Sequence, residues 1–273
     1  MMKNYSQIVN GITNTCWAIL PHKMDEIMCL VENKVAGIDL DASAYKAASR
    51  NQTRQNKTVI LPLGGVISQK QNLMTQYSGG TSTDIFGAWF DEAMADKSVT
   101  SIVLDVDSPG GSVYGVSELA RKIYQSRGKK PIIAVANSLM ASAAYWIASA
   151  ADEIHVSPGA EVGSIGVIAV HVDRSENNAK EGFNVSYITA GEYKAEGNPD
   201  APLSDEARSF MQGRVDEYYS MFVSDVARNR KKTTSEVISK FGKGRVFGAD
   251  MAIKSGMADK KSSFEYVLRS TVR

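Results

Sequence analysis

The chain has 273 residues, 43% of them hydrophobic and 22% charged, with a formal net charge of +1. That is the composition of a globular protein with a sizeable core, and it excludes a disordered chain. It also leaves no basic footprint for nucleic acid or an anionic membrane. No stretch approaches the roughly 18 apolar residues of a membrane span, and no signal-peptide pattern opens the chain, so the expected location is cytoplasmic.

Residues 1–40 form an N-terminal appendage with one helix expected over 23–36, where Met24, Ile27, Met28, Leu30 and Val31 make an apolar stripe. Cys16 and Cys29 have no partner His or Cys at metal-ligand spacing, and Cys29 falls inside that helix as a small buried hydrophobe. Residues 41–57 are polar and without an apolar period, which reads as a linker and a place for self-cleavage. From residue 58 to 273 the pattern is that of one larger domain. Strands are expected at 59–63, 101–106, 131–137, 153–156, 165–170 and 185–188. Helices alternate with them, at 83–97, 112–127, 142–151 and 204–228, the last with Phe210, Met211, Val215, Tyr218, Phe222 and Val226 on one face. The basic run at 228–232 reads as a solvated helix end. The alternation predicts an α/β fold of mainly parallel strands with flanking helices.

Three segments carry candidate chemistry. Asp107-Ser-Pro-Gly-Gly-Ser112 follows a strand, and its glycines allow a sharp turn or a close approach to a ligand. Amides of Gly110 and Gly111 at the head of the expected 112–127 helix can face a developing negative charge, although a plain tight turn explains the motif as well. Ser142 stands after a strand and at the start of a helix, where the amides of Ser142 and Ala143 lack helical partners. An N-cap serine is the bland alternative. Lys194 lies in a Gly/Pro-flanked loop and is either solvated or delivered to Ser142 as its base. A serine needs such a base, and a lysine serves only when desolvation lowers its basicity. His155 is the rival base, 13 residues beyond Ser142 in an expected strand, and a core histidine is its other reading.

Taken together, Pro109-Gly-Gly111, Met140-Ala-Ser-Ala-Ala-Tyr-Trp-Ile-Ala-Ser-Ala-Ala-Asp-Glu-Ile154, Gly163-Ser-Ile-Gly-Val167, Gly191-Glu-Tyr-Lys194 and the run 244–252 resemble the ordered motifs of the signal peptide peptidase A (protease IV) family. The resemblance covers residues 58–265. It implies a ClpP/crotonase-like fold, a serine endopeptidase acting through an acyl-enzyme, and no cofactor or metal. It further implies Ser142 as nucleophile, Lys194 as general base, Ser164 as the hydroxyl that holds the lysine, and an oxyanion hole from Gly110 or Gly111 with Ala143. A protein or peptide is the implied substrate, and a homo-oligomer in which serine and lysine can come from adjacent protomers is the implied assembly. Ala143 and Ala144 replace a Gly-Gly pair common in the family, and Val167 stands where a ClpP-type enzyme would need a histidine. Residues 17–28 resemble the front of tailed-phage head maturation proteases of the same family, which implies scaffold, portal or capsid proteins as partners and a host-cytoplasm or procapsid setting. The alternatives are a cytoplasmic peptide-degrading relative, a crotonase-type acyl-CoA enzyme that would use the glycine amides without Ser142 or Lys194, and an inactive assembly protein.

Overall fold

Residues 12–13, 15–35, 51–71, 75 and 79–271 are described by a computed structural model. The N-terminal part holds β1 (Trp17–Ile19), α1 (Pro21–Val35), β2 (Thr53–Gln55), β3 (Thr58–Ser68), β4 (Thr81–Ser82) and α2 (Thr83–Ala95). The centre holds β5 (Ser101–Ser112), α3 (Val116–Gln125), β6 (Ile132–Ala141), α4 (Ala143–Ala148), β7 (Glu153–Val156) and β8 (Glu161–Gly163). Then come α5 (Ser175–Lys180), α6 (Asp205–Asn229), α7 (Thr234–Lys240), β9 (Val246–Gly248), α8 (Ala249–Ser255), β10 (Lys260–Lys261) and α9 (Phe264–Thr271).

Continuous aliphatic runs in β3, β5 and β6 make the middle of the sheet. Ile102, Val103, Leu104, Val106, Ile132, Ala134 and Val135 are all buried, as strands covered on both faces require. The sheet runs β10-β7-β6-β5-β3-β2, parallel from β10 to β3 and closed by the antiparallel β2. This is the expected mainly parallel α/β architecture. Residues 53–55 of the polar stretch thus become an edge strand, with a turn at 56–57, whereas residues 41–50 of the expected linker lie outside the described residues.

The feature that makes room for a site is the parting of β5 from β6. Their register shifts between Val106 and Ser108. Beyond it, β5 pairs with β1 through Gly110–Ser112, and β6 pairs with β8 through Leu139–Ala141. The expected turn at 107–112 is therefore strand, and the next helix starts only at Val116. Gly111 is demanded by this geometry: a Cβ there would lie 1.9 Å from the Ile67 carbonyl oxygen of β3.

Three further expectations need correction. Residues 165–170 form a single bridge, Trp17 to Ile168, and 185–188 form no strand. Cys29 is exposed: Met24 and Ile27 point inward, and a residue two positions past Ile27 faces the opposite side of α1. The basic run is structural, with Arg228 lying over the Tyr124 ring and Arg230 gripping Asp259 at 2.7 and 3.0 Å.

α4 is anchored from behind. All six of its residues are buried, and Trp146 stacks on Phe222 of α6 with centroids 4.5 Å apart. Buried Asp225 accepts from Trp146 Nε1 and Ser117 Oγ, both at 2.8 Å, and pairs with Arg228 at 2.8 Å. Arg127 donates to the carbonyls of Ser149, Ala150 and Ala151, which satisfies the carboxyl end of α4. Asp225→Ala leaves a buried indole N–H and a hydroxyl without their acceptor and removes the ion-pair partner of Arg228. It is expected to lower unfolding free energy by about 3–5 kcal/mol, read from denaturant midpoints; an unchanged midpoint would contradict this anchor.

Candidate active site

Ser142 sits on a strained turn. β6 ends at Ala141, the chain passes Ser142 with φ 55° and ψ −118°, and α4 begins at Ala143. A non-glycine residue held there costs about 1–3 kcal/mol, so its surroundings must fix it. They do so with backbone bonds. The Ser142 N–H donates to the Gly163 carbonyl at 2.7 Å, and the Ser142 carbonyl accepts from the Trp146 N–H at 2.9 Å. The Ser142 amide, which has no helical partner, is thus taken by Gly163 of β8. Ala143 and Ala144 need no left-handed backbone, since among the described non-glycine residues only Asn56, Ser142, Ser164 and Lys231 have positive φ. The Gly-Gly departure is therefore tolerated at this turn.

The hydroxyl at this turn is the unusual group. Ser142 is wholly buried, and its Oγ has no hydrogen-bond partner. Leaving a buried hydroxyl unsatisfied costs about 1–3 kcal/mol, and such groups in a folded protein call for an explanation such as catalysis.

Gly110 faces the same hydroxyl-bearing residue. A Cβ on Gly110, whose φ is 99°, would lie 2.9 Å from Ser142 Cβ, 3.1 Å from the Ala143 nitrogen and 2.2 Å from the Ala18 carbonyl oxygen. The Gly110 N–H donates to Ser108 Oγ at 3.2 Å, and Ser108 Oγ donates to the Gly65 carbonyl at 2.6 Å. Gly111 is registered between Ile67 of β3 and Ala18 of β1. Of the amides expected around an oxyanion, the one at Ala143 opens a helix beside Ser142, while that of Gly110 is held by Ser108.

Ser164 is the neighbour of Ser142. Ala141 and Gly163 are paired strand residues, and each is followed by a serine with φ 55°. The Ser164 N–H donates to the Arg245 carbonyl at 2.7 Å, so the run 244–248 that resembled a family motif acts by holding this second turn. Ser164 borders a cavity of about 350 Å³ that Ile19, Gly166, Val167 and Tyr219 also line.

Lys194 makes no hydrogen bond to Ser142 Oγ. It is exposed, in a turn where its N–H donates to the Gly191 carbonyl at 3.2 Å. The surrounding segment exposes Phe183, Val185, Tyr187, Ile188 and Tyr193, with Ile188 fully exposed. His155 is engaged elsewhere: Nδ1 lies 2.6 Å from Ser262 Oγ and Nε2 lies 2.9 Å from Glu153 Oε2. Hydrogen bonds from His155 and then Lys260 hold the Glu153 carboxyl below the usual carboxylate range. The rival base is thus tied into β7 and is a structural histidine. Among the described residues no group of His, Cys, Asp and Glu could hold a metal ion.

Sequence reasoning missed β1, which lies against Gly110 and Gly111. Its signal was the five-residue apolar run at 16–20, directly before Pro21, which is too short to declare a strand on its own.

Residues 124–272 match the model of "Peptidase family S49". The chain is 32% identical over 234 residues to "Head-tail preconnector protein GP5" of Enterobacteria phage P21, a match covering 84% of the chain and 46% of that relative. It is 32% identical over 212 residues to "Capsid assembly protease C" of Escherichia phage lambda, covering 78% of the chain and 48% of that relative. The chain thus spans about half the length of these relatives. A solved ClpP1 from Listeria monocytogenes superposes with a TM-score of 0.47 at 11% identity, covering 78% of the chain and 94% of that protein.

Gly110→Ala forces a methyl group against Ala18 and Ser142 at a left-handed position. The strain of about 1–3 kcal/mol is expected to lower the melting temperature by roughly 3–10 °C in a chain of this size. Gly159→Ala, whose Cβ would meet nothing within 4 Å, serves as the control and keeps the wild-type value. Equal melting temperatures for the two variants would contradict the crowding at Gly110.

Proposed function

The chain belongs to peptidase family S49, and from that premise we propose that it is a serine endopeptidase in which Ser142 and Lys194 form the catalytic dyad. The observation that carries the reading is the wholly buried, unpartnered hydroxyl of Ser142 on a strained strand-to-helix turn. Neutral Lys194 accepts the proton of Ser142, Oγ attacks the substrate carbonyl, and an acyl-enzyme forms as the amine leaves with that proton. Water then hydrolyses the ester by the reverse transfer. The Ala143 amide, with those of Gly110 or Gly111, faces the oxyanion. Ser164, on the paired turn, is the hydroxyl that holds the lysine.

Lys194 comes from a neighbouring protomer in this reading. Its exposure and the apolar side chains around it support that placement, because a soluble chain rarely leaves Phe, Val, Tyr and Ile together in water unless they meet a partner. Docking that surface over the cavity that Ser164 borders desolvates the ammonium and lowers its basicity, which the mechanism requires. The acyl-CoA alternative falls with the family membership. The names of the phage relatives point to head assembly, so the substrates are scaffold, portal or capsid proteins in a procapsid or the host cytoplasm. No helix of the described residues is long and apolar enough to cross a membrane.

Ser142→Ala and Lys194→Ala are each expected to reduce peptide hydrolysis to background while leaving the melting curve in place. Hydrolysis by Lys194→Ala at the wild-type rate would remove the lysine from the mechanism.

A further inference from the structure

The chain's own N-terminal strand lies beside Ser142. Residues 16–20 lie extended between two segments that are hydrogen-bonded to them on opposite edges. On one edge the Val113 N–H donates to the Cys16 carbonyl at 3.2 Å, and the Leu20 N–H donates to the Pro109 carbonyl at 2.9 Å. On the other, Trp17 and Ile168 exchange N–H···O bonds, both at 2.8 Å. The Ala18 carbonyl oxygen and Ser142 Cβ lie 2.2 and 2.9 Å from the same point on Gly110, so they can be no farther apart than those two distances together.

We propose that the slot between Gly110–Ser112 and Ile168 is the peptide-binding cleft, and that residues 16–20 fill it as an internal stand-in for an extended substrate. The proposal rests on the reading of Ser142 as nucleophile. An extended peptide gains its main-chain bonds by adding a strand to open edges, with side chains alternating between pockets. The occupant defines that alternation. Ala18 is wholly buried, paired with Gly111 and part of the main core, while Trp17 and Ile19 enter a separate apolar cluster. The ligand class is therefore an extended segment with a small residue facing Ser142, flanked by large apolar ones.

One face of the strand is held chiefly by its own segment. Among the described residues, the cluster around Trp17 and Ile19 draws Ile12, Met24, Ile27 and Met28 from the N-terminal segment, and Val66, Ile168 and Val170 from elsewhere. Trp17 Nε1 donates to the Ile12 carbonyl at 3.0 Å, a bond that stays within the segment. The strand's other face, Cys16 and Ala18, belongs to the main core, so release of the strand exposes those two residues while the Trp17 cluster moves with its own segment. While it remains, no external polypeptide reaches a serine with no exposed surface.

The test uses the full chain carrying Ala18→Glu, which places a carboxylate in the small-residue slot and ejects the strand. Trp17→Ala is a second variant should the first not fold. A fluorescent peptide of residues 15–21 is titrated by anisotropy into Ser142→Ala protein with and without the strand substitution. The substituted protein is expected to bind at least about ten-fold more tightly, since the unmodified cleft is free only in a minor fraction of molecules. Equal or absent binding by a substituted protein with unchanged circular dichroism would overturn the proposal. Alkyl fluorophosphonate labelling of Ser142 in Ala18→Glu is read in parallel. Peptide binding without labelling keeps the cleft and removes the nucleophile; labelling without a gain in peptide binding does the reverse.

Discussion

The left-handed backbone at Ser142 depends on a hydrogen bond from its own N–H to the Gly163 carbonyl, and most of the molecule serves that contact. β6 must end at Ala141 opposite Gly163, which requires β6 to part from β5 and pair with β8. β8 is in turn held by β9 and by the Arg245 carbonyl at Ser164. Behind the turn, the all-buried α4 is fixed by Trp146 on Phe222 and by Asp225. The energy that keeps a serine at φ 55° comes from this packing, and a serine hydroxyl is thereby held buried without a hydrogen-bond partner.

The sheet and the place of Ser142 were legible in the sequence because both rest on local patterns. Aliphatic runs at 59–63, 101–106 and 131–137 became β3, β5 and β6, each longer than read. The extensions lie where polar or glycine residues such as Ser108, Gly110 and Ser138 continue a strand whose pairing is set by neighbours far along the chain. Gly111 illustrates the difficulty: its meaning lies in the approach of Ile67, 44 positions earlier, which no window of sequence contains. Asp225 was invisible for the same reason, since its partners Ser117 and Trp146 are remote. The apolar stripe of α6 was only half a guide. Phe222 and Val226 enter the core, but Phe210 on the same stripe remains exposed.

The site legible from motifs is only partly assembled in one chain. Gly110, Ala143, Ser142 and Ser164 meet, whereas Lys194 stands outside on an apolar, exposed segment. Burial explains why a single protomer is a poor setting for the proposed chemistry. A lysine in water is protonated and cannot accept a proton, so the reading needs a surface that covers Lys194 as it reaches Ser142. The cleft is also closed from within by residues 16–20. Two independent conditions, assembly and release of the N-terminal strand, would then separate the folded chain from the active enzyme.

The supply of the lysine by a neighbouring protomer is the point at which the account is most exposed. Ser142→Ala and Lys194→Ala proteins, each inactive, are mixed after dissociation, reassembled, and assayed on a peptide substrate. If the dyad is shared across an interface, random mixing restores about a quarter of the sites, since that fraction pairs an intact serine with an intact neighbouring lysine. A reassembled mixture as inactive as its two components would show that each protomer must complete its own dyad.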